Sequence, residues 1–300
     1  MRLNPMSIIN SRLGMGVALG LGRSVPRRYG YKVAYWIADR ISSQKNWPMV
    51  RAVRLNQWVV SGGTSEDLDK AVRAAFRHNA HCLYDLYRNL GSPERAGELI
   101  HFTPQTDRMI EQSIRRTQGQ MIVGVHMSSF DMTMQNAACR GLQAQAITIA
   151  NPTGGYVWQN HLRKRVGIDI TPASKAAIRK AQERLLAGGT VMTGIDRPIA
   201  DTRYRPRFFG RPASLPVVHV QLALKTNVPV YVVAAIMRPD HTYEIHTSEP
   251  IEMQRYKDRE TELIENAETI LKIAEDYIRM APVQWSMFYP VWPEVENEVP

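Results

Sequence analysis

No stretch of this chain narrows its fold more than residues Met121 to Asp131, MIVGVHMSSFD. Met121, Ile122, Val123, Gly124 and Val125 form a short, mostly apolar run of the kind that becomes a buried strand. The run ends at His126. After Met127-Ser128-Ser129, apolar positions Met132, Met134, Ala137 and Ala138 recur as on one face of a helix, with either serine as its cap. A buried strand delivered directly into a helix is an α/β unit, and it leaves His126 at the junction where such folds place chemistry.

The same alternation continues along the chain. Helical patterns at 106–117, 131–142, 174–187, 217–225 and 258–280 are interleaved with strand patterns at 121–125, 144–150, 190–196, 228–237 and 243–253. This predicts an α/β fold with a mostly parallel central sheet flanked by helices. An earlier long helix starts at Thr64-Ser65-Asp67, carries Leu68, Val72, Phe76, Leu83, Leu86 and Leu90 on one face, and stops at Gly91. Three hundred residues with 44% hydrophobic content can bury a substantial core. Cys82 and Cys139 are far apart in sequence, which argues against a disulfide scaffold or a cysteine metal cluster.

Charge is concentrated at the N-terminus. Residues 1–60 hold eight arginines and two lysines against Asp39 alone, so nearly all of the formal +10 lies there. The residues interleaved with these cations are apolar or interfacial aromatics, including Ile8, Leu13, Tyr29, Val33, Trp36 and Ile37, which favours an anionic membrane surface over nucleic acid. The apolar run 13–22 is too short to span a bilayer. At 25–43, Val25, Tyr29, Val33, Trp36, Ile37 and Ile41 form a stripe opposite Arg27, Arg28, Lys32 and Arg40. That pattern suits a membrane-apposed helix or an ordinary core helix with a basic solvated face. The expected division is a membrane-apposed region at 1–45 and an α/β domain at 46–300.

His126 and Asp131 lie five residues apart. If the turn folds back, the carboxylate can hold one imidazole nitrogen and leave the other to take a proton from a hydroxyl; the same spacing also describes a surface pair. His78 and His81 lie three apart on a helix without acids or cysteines to complete a metal site, and His219 falls in an apolar helix as a core residue. The strand at 190–196 ends in Asp196, followed by Arg197. The turn-rich segment 151–156, starting at Asn151, is a loop that can admit a ligand to the backbone. Arg163, Lys164 and Arg165 are either a solvated helix end or a phosphate contact. Arg203, Arg205, Arg207 and Arg211 surround Phe208-Phe209-Gly210, a pattern fitting an anionic head group or a surface hairpin.

The ordered set of these features resembles the lysophospholipid acyltransferase superfamily, and within it the bacterial lipid A late acyltransferases and phosphatidylinositol mannoside acyltransferases. The resemblance is carried by the basic N-terminal helix, Arg54-Leu55-Asn56, and the H-x4-D spacing of His126 and Asp131. It continues through Arg165 to Gly167, the strand ending in Asp196, the RFFG-x-PA block at Arg207 to Ala213, and the PVQW of Pro282 to Trp285. It implies acyl transfer from acyl-coenzyme A or acyl-carrier protein to a hydroxyl of a glycolipid or phospholipid, without metal or other cofactor. His126 would be the general base and Asp131 its orienter, with Asp196 replacing or assisting Asp131. Arg165, Arg207, Phe209, Gly210 and Arg211, with Asn151 and Arg197, would bind substrate or steady the oxyanion. The implied location is the cytoplasmic face of the bacterial inner membrane, peripheral or monotopic. A non-catalytic lipid-binding protein on the same fold is the alternative.

Overall fold

A computed structural model of the chain describes residues 25–89, 92–151, 167–200 and 202–300, together with Val157, Asn160 and Lys164. The apolar run 13–22, Arg163, Arg165, Gly91 and loop residues 152–156 lie outside the described residues.

The main sheet contains β1 (Ile100–Phe102), β2 (Gln120–Gly124), β3 (Ala144–Thr148), β4 (Asp169–Pro172) and β5 (Thr190–Gly194). Two later strands, β8 (Val230–Met237) and β9 (Tyr243–Thr247), complete it; β6 (Arg207–Phe208) and β7 (Arg211–Pro212) pair separately as an antiparallel hairpin. The order is β1-β9-β8-β2-β5-β3-β4, with β8-β9 antiparallel and every other neighbouring pair parallel. The expected mostly parallel α/β sheet is therefore present. Strands β1 and β4 were not expected, because three or four residues are too few to show a period.

The helices are α1 (Arg27–Ser42), α2 (Pro48–Ser61), α3 (Ser65–Asn89), α4 (Pro93–Gly97), α5 (Pro104–Arg115), α6 (Phe130–Cys139), α7 (Lys175–Leu186), α8 (Val218–Thr226) and α9 (Arg259–Met280). Strand alternation sorts the core into two faces. Met121, Val123 and Val125 pack with Val230, Val232, Ala234, Leu185, Val220, Leu224, Ile270 and Leu271 on the α7–α9 face. Ile122 and Tyr231 pack with Met109, Ile110, Ala137 and Leu142 on the α5–α6 face. His219 is a core residue at 1% exposure, but neither ring nitrogen has a hydrogen-bond partner among the described residues.

Asn56 explains the Arg54-Leu55-Asn56 segment. Its amide donates to the carbonyls of Met287 and Tyr289 and its oxygen accepts from Val291 N, so α2 is tied to the C-terminal segment; Leu55 fills the core. Arg54 meets Asp69 and the Pro300 carbonyl.

Helix α1 is turned contrary to the core-helix alternative. Tyr29, Val33, Trp36 and Ile37 are 57, 45, 61 and 42% exposed, while Gly30 and Ala38 are buried. Its inward face meets α3 through Tyr31 Oη to Asp85 (2.5 Å) and Tyr35 Oη to His81 Nδ1 (2.7 Å), with the Tyr31 and His81 rings stacked at 4.2 Å. Gly30 permits this approach: a Cβ there would lie 2.2 Å from the Tyr84 ring. A Gly30→Ala protein should therefore lose about 1–3 kcal/mol of stability by overpacking, against the gain usual for Gly→Ala within a helix. Urea unfolding measures this; an unchanged or raised midpoint would contradict the packing.

Candidate active site

The chain leaves β2 through α6 to one face of the sheet and leaves β5 through the β6-β7 hairpin and α8 to the other. Between the carboxyl ends of these adjacent strands lies a topological switch point, the usual crevice of an open α/β sheet. Their register pairs Gly124 with Gly194. Two residues further on, His126 stands opposite Asp196.

Asp196 is fully buried and accepts three hydrogen bonds. His126 Nδ1 lies 2.6 Å from Oδ1, while Oδ2 accepts from His126 N at 2.9 Å and from Trp285 Nε1 at 2.7 Å. An ionised carboxylate only accepts, so Nδ1 carries the proton. Burial alone would raise the Asp196 pKa. The facing His126 and the three donors outweigh it and hold the carboxyl below its ordinary value.

The expected Asp131 orienter is replaced at Nδ1 by Asp196. Asp131 sits in the first turn of α6, buried, where its charge complements the helix N-terminus. Strand register, rather than the five-residue spacing, decides which carboxylate meets the imidazole. Ser129 is the residue at the helix N-cap, but its side chain makes no cap hydrogen bond. Gly194 leaves room for the ring, since a Cβ there would be 2.6 Å from His126 Cε1. Phe130 packs edge-on against the imidazole, with ring centres 4.9 Å apart.

A short strap from the C-terminal region fixes this turn. His126 O accepts from Ser286 N, Ser128 N donates to Gln284 O, and Met127 bridges Trp285 between them. Thus one strap holds the backbone of the histidine and donates to its carboxylate partner. Trp285 in turn packs beside Phe208, Phe209 and Trp292.

His126 lines a cavity of about 760 Å³. Ile122, Thr133, Ala137, Leu142 and Val233 form part of its wall on the α6 side, and Ile147, Ile178, Ile199, Tyr204, Val217 and Val218 part of its other end. The volume falls in the range of small-molecule and cofactor sites, ~300–1,000 Å³, and the lining is predominantly apolar. Arg197 and Arg203 also line it; Arg197 stacks on Tyr289 at 4.2 Å and Arg203 on Tyr204 at 4.7 Å.

Of the other residues expected to bind substrate, Arg207, Phe209, Gly210 and Arg211 are not in the cavity wall. Arg211 pairs with Glu298 and stacks on Trp58, and the backbone amides of Arg207 and Phe209 donate to Glu268 and Glu275 of α9. The block is a hairpin whose buried Phe208 supports Trp285. Asn151 is exposed, one residue beyond the lining Ala150, and Arg165 lies outside the described residues. Sequence reasoning gave no role to Gly194, Phe130 or Trp285. The PVQW motif carried a signal for Trp285, whereas Gly194 and Phe130 became legible only through their contacts. Among the described residues, no group of three or more His, Cys, Asp or Glu side chains is placed to hold a metal ion.

Fold and site together define an α/β protein with a His–Asp pair, its carboxylate buried, at the wall of a mostly apolar cavity. The profile of a family described as bacterial lipid A biosynthesis acyltransferase matches residues 97–294, and the chain belongs to this family. It is an acyltransferase acting on a lipid, which sets aside the non-catalytic alternative. Among solved structures, the 1-acyl-sn-glycerophosphate acyltransferase PlsC from Thermotoga maritima is similar over 85% of this chain and 98% of its own, with 15% identity and a TM-score of 0.38. No curated protein matches the chain.

Burial also sets the acid response of the fold. Desolvation pushes His78 and His219 from 6.5 down to about 3, with the His81 charge a second cause for His78. Their neutral forms contribute stability fully above pH 6.5, and that contribution is lost as pH falls toward 3; Asp196, also depressed, adds loss below the ordinary carboxylate range. His219→Leu should raise the urea midpoint and flatten its decline between pH 6.5 and 4.5. A decline as steep as in the unsubstituted protein would contradict this assignment.

Proposed function

We propose that this protein is a membrane-surface O-acyltransferase that moves a fatty acyl group from acyl-coenzyme A or acyl-carrier protein to a hydroxyl of a glycolipid or phospholipid. The observation carrying the reading is the His126–Asp196 pair at the wall of the apolar cavity. With Nδ1 engaged, Nε2 is the nitrogen available to take the acceptor hydroxyl proton as that oxygen attacks the thioester carbonyl. Asp196 stays ionised and stabilises the imidazolium. Collapse of the tetrahedral intermediate breaks the carbon–sulfur bond, and the imidazolium returns the proton to the departing thiolate. The ester and the free thiol balance the reaction, and no covalent acyl-enzyme is required.

The apolar walls suit an acyl chain, since each methylene withdrawn from water contributes about 0.8 kcal/mol. Arg197 and Arg203 are placed for a phosphate of the donor or acceptor. This reading moves the anion-binding task away from the Arg207–Arg211 hairpin.

Substitution separates these roles. His126→Ala and Asp196→Asn should each lower thiol release from acyl donors by roughly 10²–10⁴-fold with mixed bacterial lipids as acceptor. A folded His126→Ala protein turning over within tenfold of the unsubstituted enzyme would remove His126 as the base.

Support for the membrane surface comes from α1, where the outward stripe of Tyr29, Val33, Trp36 and Ile37 lies among exposed Arg27, Arg28, Lys32 and Arg40. Asp39 points elsewhere: the Arg73 and Arg77 guanidiniums each reach it at 2.6 Å and hold its carboxyl well below the usual range. Among the described residues no helix is long and apolar enough to cross a membrane. The proposed attachment is peripheral or monotopic, on the cytoplasmic face where acyl thioesters are made. A Val33→Glu, Trp36→Glu protein should lose sedimentation with anionic vesicles by about tenfold or more, whereas the unsubstituted protein should release with added salt. Equal sedimentation of the two proteins would refute this surface.

A further inference from the structure

The hydroxyl of Ser128 joins three parts of the molecule that are distant in sequence. Gln284 is oriented by the backbone of Met237: its Nε2 donates to Met237 O at 2.9 Å and its Oε1 accepts from Met237 N at 2.7 Å. Ser128 Oγ lies 2.7 Å from that same Oε1, an acceptor, so the serine proton is committed there. His78 Nε2, from α3, lies 3.0 Å from Ser128 Oγ. Since the hydroxyl proton is already used, His78 must donate, which selects its Nε2–H tautomer. Cys82 Sγ lies 3.4 Å from this nitrogen and is a weaker partner. Both His78 and Ser128 are buried, at 8 and 3% exposure.

This node sits where the backbone is strained. Ser128 has φ +44°, in the left-handed region that costs a non-glycine residue free energy. The reversal turns the chain from the His126 strap into α6. The two side-chain bonds add to the backbone bond from Ser128 N to Gln284 O in holding this conformation, and their loss would let the strap bonds that aim His126 shift.

We propose that His78 and Gln284 are positioning residues that act through Ser128, holding the turn after His126 so that its imidazole stays aligned between Asp196 and the cavity. They touch neither substrate nor the reacting atoms. The inference rests on the acyl-transfer reading for its kinetic consequence, but the alignment itself has a separate readout.

The test compares His78→Phe, His78→Gln, Ser128→Ala and Ser128→Gly in the full chain, each verified as folded by circular dichroism. Two quantities are measured: steady-state thiol release, and the downfield Nδ1–H proton resonance of His126, identified by its absence from His126→Ala. His78→Phe and Ser128→Ala should lower kcat roughly 10- to 100-fold with KM within about twofold, because misalignment affects the chemical step more than binding. Both should also shift or broaden the His126 resonance. His78→Gln, which keeps a donor at that reach, should restore most of kcat and the resonance. Ser128→Gly should remain impaired although it relieves the strained φ, since the hydroxyl is lost. Unchanged kcat and resonance in His78→Phe, or a His78→Gln protein as impaired as His78→Phe, would overturn the proposal. A Ser128→Gly protein with full activity would also overturn it, by reducing the position to a backbone requirement. If the unsubstituted enzyme releases no thiol with any donor, the acyl-transfer reading fails, and the resonance alone decides the positioning role.

Discussion

The structure depends on one buried carboxylate. Asp196 has no solvent exposure, and an ion in that setting persists only when its oxygens are satisfied. Its three donors come from two places: the backbone and ring of His126 at the end of β2, and the indole of Trp285 near the C-terminus. Satisfying that charge thus brings together segments 70 and 89 residues away. The surrounding apparatus follows from it. Phe208 stacks on Trp292 and meets Trp285 edge-on, α9 holds the hairpin through Glu268 and Glu275, and Asn56 anchors the C-terminal segment to α2.

Around this polar centre the cavity is predominantly apolar, and the contrast has chemical consequences. In the proposed reaction, a low-polarity wall would strengthen the interaction between a developing imidazolium and Asp196, while, against its burial, the three fixed donors hold the carboxyl below its ordinary pKa. The same wall is what the proposal assigns to the acyl chain. Gly194, paired with Gly124 at the ends of β5 and β2, keeps a side chain out of the space the imidazole occupies.

The N-terminal helix answers a different constraint. Its inward face is polar-aromatic, with Tyr31 and Tyr35 bonded to Asp85 and His81, while its apolar stripe points outward. Such a helix inverts the usual amphipathic arrangement of a soluble domain. With Asp39 engaged by two arginines of α3, the outward face presents apolar and cationic groups together. That combination is the physical basis for the proposed anionic lipid surface.

Apolar periodicity and turn residues are local signals, and they sufficed for the α/β class, most of the longer elements and the place of His126 between a buried strand and a helix. The family resemblance marked Arg54-Leu55-Asn56 and PVQW without tasks and gave the RFFG block an anion-binding one. Asn56 proved to be a tether, the RFFG block a buttress for Trp285, and Trp285 a donor to Asp196. Only the tertiary structure decided that Asp196 rather than Asp131 meets His126 Nδ1, that the α1 stripe faces outward, and that His78 reaches Ser128. Each of these depends on strand register, helix rotation or packing across long separations, and the period along a chain shows which residues share a face without showing what that face will meet.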